Sequence, residues 1–268
     1  MSGIGPITQG PIAHIDPLAP AATLATSVAT TNALLAALKA GGLMIQGSRY
    51  RDAVLALGAT WYARLGEASG ATAVAEVGAN GSYVGTVTYG VTGALVGDSN
   101  TAITTNNTWG NYVDVTSSAA LNMGSGDFSV VGWMSILDTS WNILACKANS
   151  TGDIGWILGY DGSSGLFKCN DGTHVPYGYR SFTPAAGWHM YAGVRSGTTT
   201  RFNFDGVDYT PGSDAGLTTV DNAIDLRIAT CGEGSTAVNG SVDEPAIFKG
   251  IALTAPQLLA LYNIGIGH

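Results

Sequence analysis

The sequence has little charge and no long apolar run. Only 11% of its 268 residues are charged, with 11 Lys and Arg against 19 Asp and Glu, which gives a net charge of −8. Proteins that hold nucleic acid or anionic lipid carry basic patches, so we expect neither a nucleic-acid nor a membrane partner. No apolar stretch approaches the roughly 18 residues that a membrane-spanning helix needs, and the N-terminus lacks the basic-then-apolar order of a secretory signal. We expect a soluble, unprocessed protein.

Cysteine is also scarce. Cys146, Cys169 and Cys231 are an odd number of scattered residues with no CxxC pair. This pattern fits neither a disulfide framework nor a zinc site. We expect inert, partly buried thiols. A Cys146–Cys169 bridge is the alternative, and it depends on the separation of the two Cα atoms.

From about residue 48 the chain alternates short aromatic and β-branched runs with turns of Gly, Asn, Asp and Ser. Runs separated by roughly 8 to 15 residues are typical of an antiparallel sandwich or barrel. Asp205-Gly206 predicts a tight hairpin turn, with Phe202 and Phe204 on one face of the preceding strand. The clearest runs are FSVVGWMSI (128–136), GWILGY (155–160), GLFKC (165–169), WHMYAGV (188–194), RFNFDGVDY (201–209) and IDLRIAT (224–230).

The chain ends in a predicted helix. Thr254 is a natural N-cap, Pro256 suits the first turn, and Gln257 stands three residues after the cap as in a capping box. Gly265 provides the stop. We therefore expect a β domain followed by one C-terminal helix.

The first 46 residues differ from the rest in composition. Four prolines at positions 6, 11, 17 and 20 predict an extended arm. Residues 21–40, rich in Ala and Leu, predict a helix that stops at Gly41-Gly42. Its apolar positions are spaced by three and four residues, as in a coiled-coil seam. They are Leu24, Val28, Thr31, Leu35 and Leu38.

A helix of this length is marginal in water on its own and must pack against something. Three interpretations stay open: packing on its own β domain, a short homo-oligomeric bundle in which a trimer is favoured, and a flexible linker. The predicted division is residues 1–46, an arm and helix for attachment and oligomerisation, and residues 47–268, the β domain.

Several segments occur in a fixed order along residues 49–264. They are YRDAVLALGATWYARLGEASG (50–70), NGSYVG (80–85), YGVTGALVGDSNTAI (89–103), YVDV (112–115), GDFSVVGWM (126–134) and GSVDEPAIFKGIALTAPQLLALY (240–262). In this order they resemble the laminin-G-like, concanavalin-A-like jelly roll, in the variant common in bacterial surface proteins and tailed-phage virion proteins. The resemblance implies a mainly β, antiparallel sandwich. It does not extend to residues 1–46.

The resemblance also raises the question of glycoside hydrolysis, which needs two carboxylates about 5 to 10 Å apart. Related glucanases carry a Glu-x-Asp-x-x-Glu string, and none is present. Asp243 and Glu244 are adjacent, so in a regular strand they point to opposite faces. The sequence also lacks a Gly-x-Ser-x-Gly elbow for a serine nucleophile. We expect a protein without enzymatic activity, with a hydrolase as a remote alternative.

A structural calcium ion is a further implication of the resemblance, since the family often holds one by the Asp of the closing Asp-Glu strand and backbone oxygens of an N-terminal loop. The matching positions are Asp243 and the loop around Glu76 to Gly81. The alternative is that Asp243 bonds to neighbouring backbone amides.

Sugar binding is the widespread non-enzymatic activity of the family. It uses an aromatic platform with polar groups around it. The candidates in polar, loop-like sequence are Trp141, Tyr160 with Asp161, Tyr177 and Tyr179. Packing inside the domain is an equal alternative for these aromatics. Three other tryptophans stand in apolar strand sequence and are predicted to be core: Trp61, Trp133 and Trp156.

Two functional classes follow. The first is a structural protein of a phage virion, on the tail or capsid surface, assembled in the host cytoplasm. It would dock on other virion proteins through residues 1–46 and display a lectin-like domain to host-surface glycans. The second is a cell-surface or secreted carbohydrate-binding module.

Overall fold

The computed structural model describes residues 46–108, 110–148, 153–232 and 237–268. Residues 45–268 form one compact unit. The predicted arm and the seam positions Leu24, Val28, Thr31, Leu35 and Leu38 lie outside the described residues. No helix in the described part of the chain is long and apolar enough to cross a membrane.

The described residues contain two helices and eighteen strands. The helices are α1 (Gln46–Ala56) and α2 (Ala255–Gly265). The strands are β1 (Trp61–Ala63), β2 (Thr72–Ala73), β3 (Ala75–Val77), β4 (Gly81–Val84), β5 (Thr88–Thr92), β6 (Thr101–Asn106), β7 (Tyr112–Val115), β8 (Phe128–Ile136), β9 (Trp141–Lys147), β10 (Gly155–Asp161), β11 (Ser164–Asn170), β12 (Tyr177–Ser181), β13 (His189–Ser196), β14 (Thr199–Phe204), β15 (Val207–Asp208), β16 (Gly212–Ser213), β17 (Leu226–Ile228) and β18 (Asn239–Lys249).

The strands form two antiparallel sheets. Sheet A has the order β15-β14-β13-β8-β18-β1-β3, with β16 paired to β14, β6 paired to β18 and β5 paired to β6. Sheet B has the order β12-β11-β10-β9-β17-β7-β4-β2. The main core lies between the inner faces of the two sheets and contains Trp61, Phe128, Trp156, Phe167 and Phe202. The predicted antiparallel sandwich is confirmed.

Both helices pack on the outer face of sheet A. Tyr50 of α1 meets the Trp133 ring edge-on, and Tyr262 of α2 stacks on it with ring centroids 6.0 Å apart. Gly265 also lies against Trp133, where a Cβ atom would overlap the indole. The prediction that Trp61, Trp133 and Trp156 are core residues is confirmed, because each is 1% exposed. Helix packing therefore covers this part of sheet A, and neither of the two described helices lies on the outer face of sheet B.

Two local predictions are also confirmed. At the start of α2, the Thr254 backbone N–H and Oγ1 both donate to Gln257 Oε1, at 2.8 and 2.9 Å, and the helix ends at Gly265. Asp205 and Gly206 form a two-residue turn between β14 and β15, with positive φ angles of 52° and 79°. Positive φ at both turn positions is the conformation that this dipeptide favours.

The cysteine prediction is wrong for two of the three residues. Cys146 and Cys231 form a disulfide with Cα atoms 5.2 Å apart. They meet because β17 pairs with β9 and brings the segment after it over Cys146. Cys169 is opposite Trp156, whereas Cys146 is opposite Ile157, so the two thiols lie on opposite faces of sheet B and cannot bond. Cys169 is the expected buried thiol, and burial raises its pKa to about 12.

Candidate glycan-binding site

Strands β9 to β12 bring four of the five sequence-predicted glycan contacts to the outer face of sheet B. Trp141 stands directly opposite Asp161, and Tyr179 stands opposite Leu166. Residues opposite each other in an antiparallel pair share a face. Both pairs lie on the same face of sheet B. Gly159 is opposite Leu166, and it lies two residues before Asp161 in β10, so it shares a face with both.

Tyr177 lies on the same face, opposite Lys168. Tyr177 and Tyr179 are 50% and 37% exposed, and their ring centroids are 5.4 Å apart with planes tilted by 40°. Beside them is a depression of about 230 Å³, lined by Asp161, Leu166, Lys168, Val175 and Tyr177. We call the set Trp141, Asp161, Leu166, Lys168, Val175, Tyr177 and Tyr179 the sheet B patch.

The Asp161 carboxylate is held at one end of this patch by its own turn. Its Oδ1 accepts hydrogen bonds from the Ser163 N–H and Oγ, both at 3.0 Å, and from the Ser164 N–H at 2.7 Å. Gly162 provides the positive φ that the turn requires. The position of the carboxylate is therefore fixed before any ligand arrives.

Tyr160 is a correction to the sequence prediction. It is 1% exposed and packs in the core, with its ring centroid 5.9 Å from that of Phe182. The reason is the alternation of a strand: Asp161 faces outward, so its neighbour Tyr160 faces the core. Tyr160 cannot contact a glycan in this fold.

Lys168, Leu166 and Val175 were not recognised in the sequence. In the run GLFKC, strand alternation places Leu166 and Lys168 on one face and Phe167 on the other. However, their approach to Tyr177 depends on the register between β11 and β12. Without that register, the sequence gives no sign that a lysine lies beside the tyrosines.

The two residues expected near calcium have separate protein partners. Glu76 Oε2 accepts a hydrogen bond from Arg51 Nε at 2.7 Å. Asp243 Oδ2 accepts the backbone N–H of Ala94 at 2.8 Å, which is the backbone-amide alternative. Outside the gaps at 1–45, 109, 149–152 and 233–236, no group of three or more His, Cys, Asp or Glu side chains is arranged to hold a metal ion.

Glu244 belongs to a buried cluster at a bulge in β18. Its carboxylate accepts hydrogen bonds from the Tyr62 hydroxyl and from Arg64 Nε, the latter at 2.8 Å. Arg64 also pairs with Asp98. Burial raises the pKa of Glu244 to about 7 and raises that of Asp243 as well. The cluster lies at the gap beside β18 where β1 ends and β6 begins.

His189, the first residue of β13, has a partner at each ring nitrogen. Nδ1 pairs with Asp205 Oδ2 at 2.7 Å, and Nε2 lies 3.2 Å from the carbonyl oxygen of Ala185. Burial opposes the charged form of the ring, but the hydrogen bond to Asp205 outweighs it and raises the pKa of His189. Neither nitrogen is placed to take a proton from a nucleophile.

Stacked antiparallel sheets with an aromatic patch on one face define a lectin-like sandwich. A family model described as the concanavalin A-like lectin/glucanases superfamily, of laminin G type, matches residues 106–258. This match covers more than half of the chain, and the chain belongs to that superfamily. No curated protein matches the sequence.

Solved structures similar to this fold include toxin binding domains. The binding domain of Paraclostridial Mosquitocidal Protein 1 aligns with a TM-score of 0.61 at 15% identity, covering 76% of this chain and 52% of that one. The binding domain of botulinum neurotoxin serotype G gives 0.58 at 14%, covering 77% and 51%. That of serotype D gives 0.56 at 12%, covering 79% and 52%. The chain thus spans about half the length of these structures, and at such identities the likeness concerns the fold alone.

Proposed function

We propose that the domain is a non-catalytic glycan-binding module and that the sheet B patch is its binding surface. The observation that carries the proposal is the pair of exposed rings of Tyr177 and Tyr179 beside a depression with polar groups. The C–H face of a pyranose packs on an aromatic ring, while a few fixed polar groups orient its hydroxyls. Asp161, fixed by its turn, is such a group.

The dimensions of the patch suit a short oligosaccharide. Strands β9 to β12 are separated by three strand spacings, about 14 Å in total. Trp141 lies at one side of this width and the two tyrosines at the other. A chain of sugars crossing the strands would contact aromatic side chains at both sides.

The proposed setting is the surface of a phage virion, with the domain displayed outward. Residues 1–46 would attach it to other virion proteins and form a homo-oligomer, with a trimer favoured. The support is in the sequence: this segment contains only Asp16 and Lys39 as charged residues, which suits burial against partners. In this setting the chain assembles in the host cytoplasm, and the glycan is on the host surface.

The disulfide favours a second setting, a secreted or cell-surface module. Cys146 and Cys231 are bonded, and structural disulfides form in oxidising compartments rather than in a reducing cytoplasm. The two settings share the same glycan-binding patch. They differ in what residues 1–46 attach to.

A glycan array tests the binding function. The 268-residue chain, biotinylated and multimerised on streptavidin, is expected to bind a defined set of glycans. Tyr177→Ala and Tyr179→Ala should each weaken binding about tenfold, the loss of about 1.4 kcal/mol expected for a central aromatic contact. Val207→Ala is the control, since Val207 is 50% exposed on sheet A. A flat array, or unchanged binding in both tyrosine variants, would contradict the proposal.

Deleting residues 1–46 tests the setting. On a virion, the shortened chain should fold, bind the same glycans and fail to enter particles. A shortened chain that still decorates particles normally would remove the virion proposal without affecting the glycan site.

A further inference from the structure

The sheet B patch contains one lysine in direct register with its most exposed aromatic residue. Lys168 on β11 is the cross-strand partner of Tyr177 on β12, and both line the depression. Cβ atoms of such partners are about 5 Å apart. The ammonium group of Lys168 therefore lies within reach of the substituents of any ring that stacks on Tyr177.

The depression has opposite charges at its two ends. Lys168 is opposite Ile157, and Asp161 is four residues further along the same strand, which places the two charged positions about 13 Å apart along the strand. Asp161 already accepts three hydrogen bonds through Oδ1. An anionic ligand group is therefore favoured at the Lys168 end, and hydroxyl donors are favoured at the Asp161 end.

Burial also makes the Lys168 end suited to an anion. Desolvation lowers the pKa of Lys168, because its ammonium is partly withdrawn from water. A negatively charged ligand group in the depression would stabilise the charged form of Lys168 and offset the cost of burying its ammonium group.

Resting on the proposed glycan function, we propose that the sheet B patch selects a carboxylated pyranose, with the sugar ring on Tyr177 and its carboxylate on Lys168. Uronic acids and sialic acids share this chemistry. A single lysine on a protein with a net charge of −8 fits one carboxylate per site and does not fit a highly sulfated polyanion.

Matched probes test the proposal on the 268-residue chain by calorimetry. Trigalacturonic acid is compared with its methyl ester, and 3′-sialyllactose is compared with lactose. At least one acidic probe should bind at least tenfold more tightly than its neutral counterpart, and the pair that shows this identifies the sugar. The preference should decrease as salt is raised, as expected for a partly exposed ion pair.

Single substitutions test whether Lys168 is the residue that gives the preference for acidic probes. Lys168→Met should bring the affinity for the acidic probe down to that for its neutral counterpart, and Lys168→Arg should retain most of the difference. Lys168→Gln repeats the test with a polar side chain in case the first variant unfolds. Arg51→Met is the matched control, because it removes one positive charge from α1 on the other side of the sandwich.

The outcomes separate the two proposals. If acidic and neutral probes bind equally and Tyr177→Ala weakens both, the carboxylate inference is overturned and the glycan function stands. If Lys168→Met and Arg51→Met reduce acidic binding equally, Lys168 is not the selecting group and the inference is overturned. If no probe binds and the glycan array is flat, both proposals fail.

Discussion

Asp243 and Glu244 are adjacent in β18, yet both carboxylates are buried within the electrostatic reach of Arg64. In a regular strand they would lie on opposite faces. Glu244 has a φ of 53°, and the register of β18 against β8 shifts between Asp243 and Ala246. Because of this bulge, the two neighbouring acids belong to one buried cluster in which Arg64 pairs with Glu244.

From this cluster we predict that the free energy of unfolding of the domain decreases as pH rises from 5 to 8. Burial raises the pKa of Glu244 from 4.5 to about 7, so the folded state holds this proton more tightly than the unfolded state. Its contribution is complete below about pH 4.5 and is lost as pH rises through about 7, to a total of about 3 kcal/mol. Urea unfolding at several pH values measures the free energy directly.

Glu244→Gln is the variant that assigns this effect. Glutamine retains an acceptor for Tyr62 and Arg64 but does not titrate, so its stability should depend less on pH between 5 and 8. His189 also has a raised pKa and contributes with the same sign, so some slope should remain. Equal slopes in the parent and Glu244→Gln proteins would exclude Glu244 as the titrating group.

The Cys146–Cys231 disulfide predicts a large response to reductant. It closes a loop with a sequence separation of 85 residues, and such a cross-link stabilises by about 4 kcal/mol through the unfolded state. Thermal unfolding with and without a phosphine reductant measures the loss. Cys169→Ala, the control, should keep the same response, because Cys169 is not bonded. Unreduced protein that shows three free thiols in denaturant, instead of one, would rule the disulfide out.

Features governed by neighbouring residues were predictable from the sequence. The Asp205-Gly206 turn and the Thr254–Gln257 cap depend on intrinsic φ preferences and on groups three residues apart. The outward position of Asp161 also implied that Tyr160 faces inward, so strand alternation alone would have excluded Tyr160.

Features governed by distant pairing were not predictable. The disulfide requires β17 to lie beside β9, and Lys168 approaches Tyr177 only through the β11–β12 register. The bulge needs a glutamate with positive φ, a conformation that non-glycine residues seldom adopt and that composition does not reveal. These features depend on long-range packing, which overrides local preference at each of them.

From the hydrogen bonds of Asp171 we predict that the turn before Val175 and Tyr177 affects ligand affinity. Its Oδ1 accepts the backbone N–H groups of Thr173 and His174, and its Oδ2 accepts the N–H and Oγ1 of Thr218, all between 2.7 and 2.9 Å. Burial would raise the pKa of Asp171, but the donors outweigh it and hold the pKa well below its usual range. The carboxylate thus fixes the turn that precedes Val175 and Tyr177.

Replacing the Asp171 carboxylate should loosen the edge of the sheet B patch without changing any side chain of the patch. Asp171→Ala is expected to cost about 2 kcal/mol of stability, as for lost hydrogen bonds to a charged group. It should also weaken glycan binding several-fold, because the tyrosine platform is less preorganised. Thr218→Val removes the Oγ1 bond and keeps the N–H, so it should have a smaller effect in both assays. Denaturant unfolding and calorimetry measure the two quantities, and an Asp171→Ala protein that is destabilised but binds with unchanged affinity would separate the turn from the site.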